Sequence, residues 1–466
     1  MKRNMYYLTI VLFFSFLTSL FVACNNDVAS EPKAEEKPPI GLLSGGMGGF
    51  GSTPIRTLAE FRDFINEGDY EGNSFNDCLF TLTEDIDLSG EEWIPIGTED
   101  NPFTGTFDGG GHTISNMRIS AEGKYGALFN YVGGGAVIKN LTLKNVSVDG
   151  CQYTAGFVGY ALNESDDEEI ILENLILESG TINSKNYSSG ICLFPEGYNI
   201  TISRCVNHAQ ITSDYSASGL SAWSEGYDSG EILITDCVNT GSISGLNRAG
   251  GIVGDLYYSA VKDCLNVGTV TVGEETTSGG TMPAGGIAGI TSNYSVIENC
   301  TNAGNVINYG NGANSNAGGI VGQIPSSDKQ VVIRFCVNTG DVQADVGYAG
   351  GIVTAMYGGN IIEYDYNSGS VRANDSNTGS GVFGISGGRY GTAVASYCVN
   401  AGTLSEGTYK ERSNTAENPT SCYYYNGATL MPEVDVDAAL ANLNTGLEEP
   451  FWGKDSSGVI QPMSMI

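Results

Sequence analysis

The chain has 466 residues, of which 53 are acidic and 21 basic, a formal net charge of −32. A surface that acidic repels phosphate backbones and anionic lipid, which excludes nucleic acid as a partner and membrane adhesion by charge alone. The 41% hydrophobic content excludes a disordered low-complexity chain, and 65 glycines amount to about twice the usual share.

The N-terminus reads as an export signal. Lys2 and Arg3 supply a positive start, and Met5 to Val22 is apolar or small. Leu20-Phe21-Val22-Ala23-Cys24 resembles a bacterial lipoprotein signal, although Phe21 stands where leucine is usual. That resemblance implies a signal peptide over residues 1–23 and lipidation of Cys24, which would tie the chain to the membrane. An uncleaved membrane anchor is the alternative, because the apolar run is almost of spanning length. Residues 24–52 carry Pro32, Pro38, Pro39 and the glycine-rich run Gly41 to Gly51, with no hydrophobic periodicity, and read as a flexible tether. The expected location is the cell envelope, lipid-anchored at the outer membrane and surface-exposed. Periplasmic and extracellular display are not separated by the sequence.

Residues 53–125 read as an N-terminal cap and opening coils. Thr57 to Ile65 places Leu58, Phe61, Phe64 and Ile65 at helical spacing and is predicted to cover the first coil. Residues 126–430 are a repeat array. One phrase recurs as Ala249-Gly250-Gly251-Ile252-Val253-Gly254, Ala284-Gly285-Gly286-Ile287-Ala288-Gly289 and Ala317-Gly318-Gly319-Ile320-Val321-Gly322. A second recurs between its copies, as in Cys237-Val238-Asn239-Thr240-Gly241 and Cys300-Thr301-Asn302-Ala303-Gly304. A spacing of roughly 27 to 36 residues is a solenoid period. Short alternating strands joined by turns cannot bury their apolar residues alone, whereas stacked coils can. The predicted fold is all-β, a right-handed parallel β-helix with short helical caps. About eight coils fit residues 126 to 427, with at least one more before them. Asn and Gly of the second phrase are expected at turns, in left-handed backbone conformations.

Cys205, Cys237, Cys264, Cys300, Cys336 and Cys398 occupy one repeat position, and Asp365 replaces the cysteine in one copy. Equivalent positions in a solenoid stack at about 4.8 Å. The pattern favours a column of reduced interior thiols, with disulfides between neighbouring coils as the alternative. Residues 431–466 read as a C-terminal cap. Val434, Ala438, Leu440 and Ala441 form its helical face, and Phe451 and Trp452 are expected to plug the final coil.

These phrases resemble the bacterial GLUG repeat family, whose Gly-Leu-any-Gly-like core matches Gly251 to Gly254, Gly286 to Gly289 and Gly319 to Gly322. Leu82 to Leu88, Trp93 to Gly97 and Phe103 to Ile114 look like the opening coils of such proteins, so the resemblance runs from about residue 53 to the end. It implies a β-solenoid at the cell surface and no particular reaction.

Chemistry-bearing motifs are few. The only histidines are His112 and His208; there is no His-Glu-x-x-His and no cysteine–histidine cluster. No catalytic residue, metal or cofactor is expected. Asp236, Asp263 and Glu298 lie at or near the residue before a stacked cysteine and are read as solvated turn residues. His112 is read as a turn residue without a partner. One aromatic follows most glycine cores: Tyr160, Trp223, Tyr257, Tyr294, Tyr357 and Tyr390. If these align on one edge, they could stack on the sugar rings of a glycan; otherwise they cover loop backbones. The expected function is non-enzymatic: adhesion, or binding of glycan or a host surface or matrix protein. A polysaccharide-degrading β-helix enzyme and a passive envelope scaffold are the alternatives.

Overall fold

The computed structural model describes residues 53–57, 59–61, 79–120, 122–227, 231–273, 282–311, 315–325, 329–354, 356–373, 381–387, 389–390, 393–405, 422–426, 429–431 and 435–465. Residues 1–52, which include Cys24 and the stretches expected to be signal peptide and tether, lie outside them. The described chain winds into a parallel β-solenoid. One coil shows the plan. Ile232–Thr235 and Val238–Asn239 belong to the first face, Ile243–Gly245 to the second, Arg248–Gly250 to the third and Val253–Tyr257 to the fourth. Each strand pairs in parallel with its copy in the next coil: Ile232 lies against Ile200 before it and Ser259 after it. The second and third faces each hold nine strands, so there are nine turns, in line with the count read from the repeats.

Alternation within these short strands sends every second residue inward. Leu172, Ile202, Ile234, Val261, Ile297, Ile333 and Ile362 form one interior column, all fully buried. Burying each such side chain contributes about 1.5–3 kcal/mol.

The cysteine column is present and longer than expected. Cys422 extends it beyond Cys398, since Tyr423 pairs with Val399. Leu175 and Leu141 continue it toward the N-terminus. No disulfide joins any two of the nine described cysteines. The residue before each column member from Cys205 to Cys398 is left-handed: Arg204 (φ 54°), Asp236 (54°), Asp263 (53°), Asn299 (53°), Phe335 (56°), Tyr364 (59°) and Tyr397 (56°). That conformation costs a non-glycine residue about 1–2 kcal/mol. The following cysteine offsets part of it by donating its Sγ–H to the carbonyl two residues back, as from Cys237 to Thr235 at 3.1 Å and Cys264 to Lys262 at 3.2 Å.

This corrects the expectation for the second phrase. Neither its Asn nor its Gly is left-handed. Asn207, Asn239, Asn266, Asn302, Asn338, Asn367 and Asn400 are buried and stacked in register. The Nδ2 of Asn266 donates to Oδ1 of Asn302 at 2.7 Å and to the Gly268 carbonyl at 2.9 Å; the same pair of bonds repeats along the column. The phrase's glycine is required by proximity: a Cβ at Gly268 would lie 1.9 Å from the Gly241 carbonyl oxygen.

The segments at the two ends of the solenoid pack differently from each other. At the N-terminal end, Thr57 and Glu60 form a reciprocal capping box: Glu60 N–H donates to Thr57 Oγ1 and Thr57 N–H to Glu60 Oε2. Phe61 is buried and stacks on Trp93, ring centroids 4.9 Å apart. Leu58, Phe64 and Ile65 lie outside the described residues. At the other end, the helix Val436–Leu443 starts at an Asp435 N-cap and buries Ala439 and Leu443, whereas Ala438 and Ala441 are exposed. Val434 lies outside the described residues. Phe451 and Trp452 do not plug the last coil. They pack on the outer surface of the first face, Phe451 against Phe335 at 5.2 Å and Trp452 against Tyr366 at 6.1 Å. The reason is local: Val337, Tyr366 and Val399 turn outward there and need an apolar cover.

Candidate functional site: an aromatic seam between the third and fourth faces

The glycine core makes the chain double back. A Cβ at Gly250 would lie 1.8 Å from the Val253 carbonyl oxygen, and one at Gly254 would lie 2.5 Å from that of Ala222. Small residues at this bend let the third and fourth faces approach each other. Ala127, Ala155, Leu193 and Ala222 form a separate small core there, with Tyr125, Tyr153, Tyr187 and Phe194 packed on it.

The seam is lined by residues six or seven apart in sequence, one on each face. On the third face, Tyr125, Tyr153 and Tyr187 stack in register, followed by Ser216 and Arg248. On the fourth, Tyr131, Tyr160 and Phe194 stack in register, and Trp223 precedes Asp255. The rings touch within and across the rows: Tyr125 with Tyr131 at 5.2 Å, Tyr153 with Phe194 at 5.4 Å, and Tyr187 with Trp223 at 6.4 Å. All are half-buried, so each keeps part of its surface open. Tyr215 joins the rim at 5.2 Å from Tyr187. In the next coil the aromatic pair gives way to an ion pair. Arg248 Nη1 donates to both oxygens of fully buried Asp255.

The polar groups of the seam are arranged in one sense. Glu196 accepts from the hydroxyls of both Tyr160 and Tyr227. Glu225, paired in register with Glu196, accepts from Trp223 Nε1 at 2.9 Å. Glu99 accepts from the Tyr131 hydroxyl at 3.3 Å. Burial pushes the phenols of Tyr125, Tyr160, Tyr187 and Tyr257 well above their usual range, so they remain neutral donors.

The single aromatic row expected from the sequence is divided. Tyr160 and Trp223 belong to the fourth-face row. Tyr257 is displaced by two residues, pairing with Glu225 instead of Trp223, although its ring lies 5.0 Å from that of Trp223. Tyr294 is left-handed, 57% exposed and covered by Lys329 at 5.4 Å, next to Tyr258. Tyr357 and Tyr390 pair with each other in a separate two-strand sheet. Tyr125, Tyr131, Tyr153, Tyr187, Phe194 and Tyr215 were not anticipated. The signal for them is the seven-residue spacing across Ala155-Gly156 in Tyr153…Tyr160 and across Ser189-Gly190 in Tyr187…Phe194.

The remaining candidates resolve individually. Asp236 and Asp263 are half-buried left-handed corner residues, and Asp263 accepts from Asn299 Nδ2. Glu298 pairs with Arg334 at 2.9 Å. His112, expected without a partner, has Nδ1 3.3 Å from Asp85. His208 Nδ1 lies 2.5 Å from Thr240 Oγ1, and burial lowers its basicity. No group of three or more metal-ligating side chains occurs among the described residues.

No protein-family model matches the chain. Halomucin of Haloquadratum walsbyi is 32% identical over 150 residues, covering 29% of this chain and 2% of halomucin. A Gly-rich membrane protein of Evansella cellulosilytica, so named provisionally, is 31% identical over 108 residues, covering 21% of this chain and 12% of the relative. The chain thus matches only a small part of either relative's length. Among solved structures, a Bacteroides ovatus chain provisionally called an immunoglobulin A1 protease matches with a TM-score of 0.38 and 17% identity, over 89% of this chain and 92% of that one. A superposition that loose says nothing about chemistry. The protein is a β-solenoid with distant relatives of this kind, and the GLUG likeness rests on the repeat phrases alone.

Proposed function

We propose that the protein is a non-enzymatic, GLUG-like surface lipoprotein, anchored through Cys24, whose solenoid binds glycan. The observation that supports this is the half-open aromatic seam flanked by carboxylates, a combination suited to sugar rings and their hydroxyls. The provisional name of the Evansella relative, a membrane protein, agrees with a membrane-associated location. The tether, residues 24–52, would hold the body away from the lipid. A glycan array probed with the protein tests the binding reading, and absence of any glycan signal would sink it. Metabolic labelling with a fatty acid tests the anchor: the label is expected on the parent and lost in Cys24→Ala.

A degradative role would require a carboxylic acid able to give up a proton to a leaving group. Glu196 and Glu225 instead accept from phenol and indole donors, which speaks for holding rather than cleaving. Release of reducing sugar from a bound polysaccharide would overturn the non-enzymatic reading.

A further inference from the structure

We infer that the seam takes an uncharged, extended polysaccharide lying along the solenoid axis, seated on Tyr153, Tyr187, Phe194 and Trp223; this rests on the glycan reading above. Three observations carry it. First, the rows repeat with the coil, at about 4.8 Å per step, close to the length of one pyranose ring in an extended chain. Four successive coils supply aromatic pairs or a lone Trp223, so the seam spans about 14 Å before Arg248 and Asp255 close it.

Second, several of the donors at the rim are already committed. Tyr131, Tyr160 and Tyr227 hydroxyls and Trp223 Nε1 all donate to Glu99, Glu196 or Glu225. What these carboxylates have left is lone-pair capacity, which suits a ligand rich in O–H donors. A proline-rich peptide presents carbonyls, acceptors that these carboxylates cannot serve.

Third, the charge is one-sided. Glu99, Glu196 and Glu225 face the rim, with Lys124 as the cation placed there, 3.4 Å from the Tyr131 hydroxyl. Arg248 is neutralised by Asp255. Such a rim, on a chain of net charge −32, disfavours uronate or sialylated chains.

The test is calorimetric titration of the detergent-solubilised full chain with neutral hexasaccharides (cellohexaose, mannohexaose and N-acetylchitohexaose), their disaccharides, hexagalacturonate and a decaproline peptide. The expected result is binding of at least one neutral hexasaccharide, with its disaccharide weaker by tenfold or more. Tyr153→Ala and Trp223→Ala should each weaken it by roughly tenfold, while Tyr294→Ala, outside the seam, leaves it unchanged. Tyr215→Ala, at the exposed rim, asks the same question should a core-facing variant fail to fold. Neutral-glycan binding untouched by Tyr153, Trp223 and Tyr215 would remove the seam and leave the glycan reading standing. Binding of hexagalacturonate or decaproline alone would overturn the assignment of an uncharged sugar. No glycan binding at all would remove both readings.

Discussion

Gly251 and Asn266 face each other across the interior of neighbouring coils, so closely that a Cβ on Gly251 would lie 2.5 Å from Cγ of Asn266 and 2.1 Å from the Gly286 carbonyl oxygen. The two recurring phrases are therefore two halves of one contact. The same pairing recurs as Gly286 with Asn302, Gly319 with Asn338 and Gly351 with Asn367. A substitution in either phrase is felt by the other.

Gly286→Ala should destabilise the protein by about 2–3 kcal/mol, because the rigid amide column and the stacked carbonyls cannot both move aside. Gly446→Ala provides the contrast: a Cβ there meets nothing within 4 Å, and the cost is only that of its left-handed φ of 81°. Urea titration of both variants reads the difference, and equal midpoints would refute the close-contact argument.

Asn302→Leu should cost more than Asn400→Leu. Asn302 accepts from Asn266 and donates to Asn338 and to the Gly304 carbonyl. Its loss leaves three buried partners unmet, at about 1–3 kcal/mol each. Asn400 sits at the column's end, accepting from Asn367 and donating to the Gly402 carbonyl. Thermal melts ranking the two variants check this, and the reverse order would count against the ladder.

Asp365 interrupts the thiol column, fully buried, with Oδ1 accepting from Cys336 N–H at 2.7 Å and no partner for Oδ2 among the described residues. Burial raises its pKa well above the usual carboxyl range, against the smaller opposing pull of that hydrogen bond. The native state therefore holds a proton that the unfolded chain releases near its ordinary value of about 3.9. Its contribution is complete below that value and is lost as pH rises through the raised native one. Asp365→Asn keeps the shape and removes the titration. The variant should be more stable than the parent at about pH 8, with the gap closing toward about pH 3. A gap constant across that range, measured by denaturant titration, would place the effect elsewhere.

Cys205, Cys237, Cys264, Cys300 and Cys336 are buried, whereas Cys422 is half-buried at the end of the column. Pulsed alkylation of the native protein, read by mass spectrometry, should label Cys422 first. The inner five should label only as fast as the coils open. Early labelling of Cys264 would show that the column opens locally.

Arg248→Met alone should cost about 3–5 kcal/mol by leaving the fully buried Asp255 carboxyl without its ion-pair partner at the end of the seam. Arg248→Met combined with Asp255→Leu should recover most of that loss. A double variant as unstable as the single one, by chemical denaturation, would mean that the pair does more than satisfy itself.

Repetition is a property of the chain itself. Recurrence of Cys-x-Asn-x-Gly and Ala-Gly-Gly-Ile at one period determined that coils stack and that Cys237 lies over Cys205, because parallel in-register pairing is how such units bury their apolar residues together. Conformation and pairing between the phrases were decided only by the tertiary structure. Arg204 and Tyr364 have no local preference for a left-handed backbone, yet adopt it because the cysteine after each site, or Asp365, must face inward. Asn266 looks like a turn residue until Gly251 and Asn302 close around it. Tyr153 and Tyr160 become one seam only because Gly156 lets two faces fold toward each other, so that residues far from helical or strand neighbours in sequence share a rim. Tyr257 left the expected row for a related reason: pairing register with the preceding coil, set by hydrogen bonds, overrode its similar distance from the glycine core.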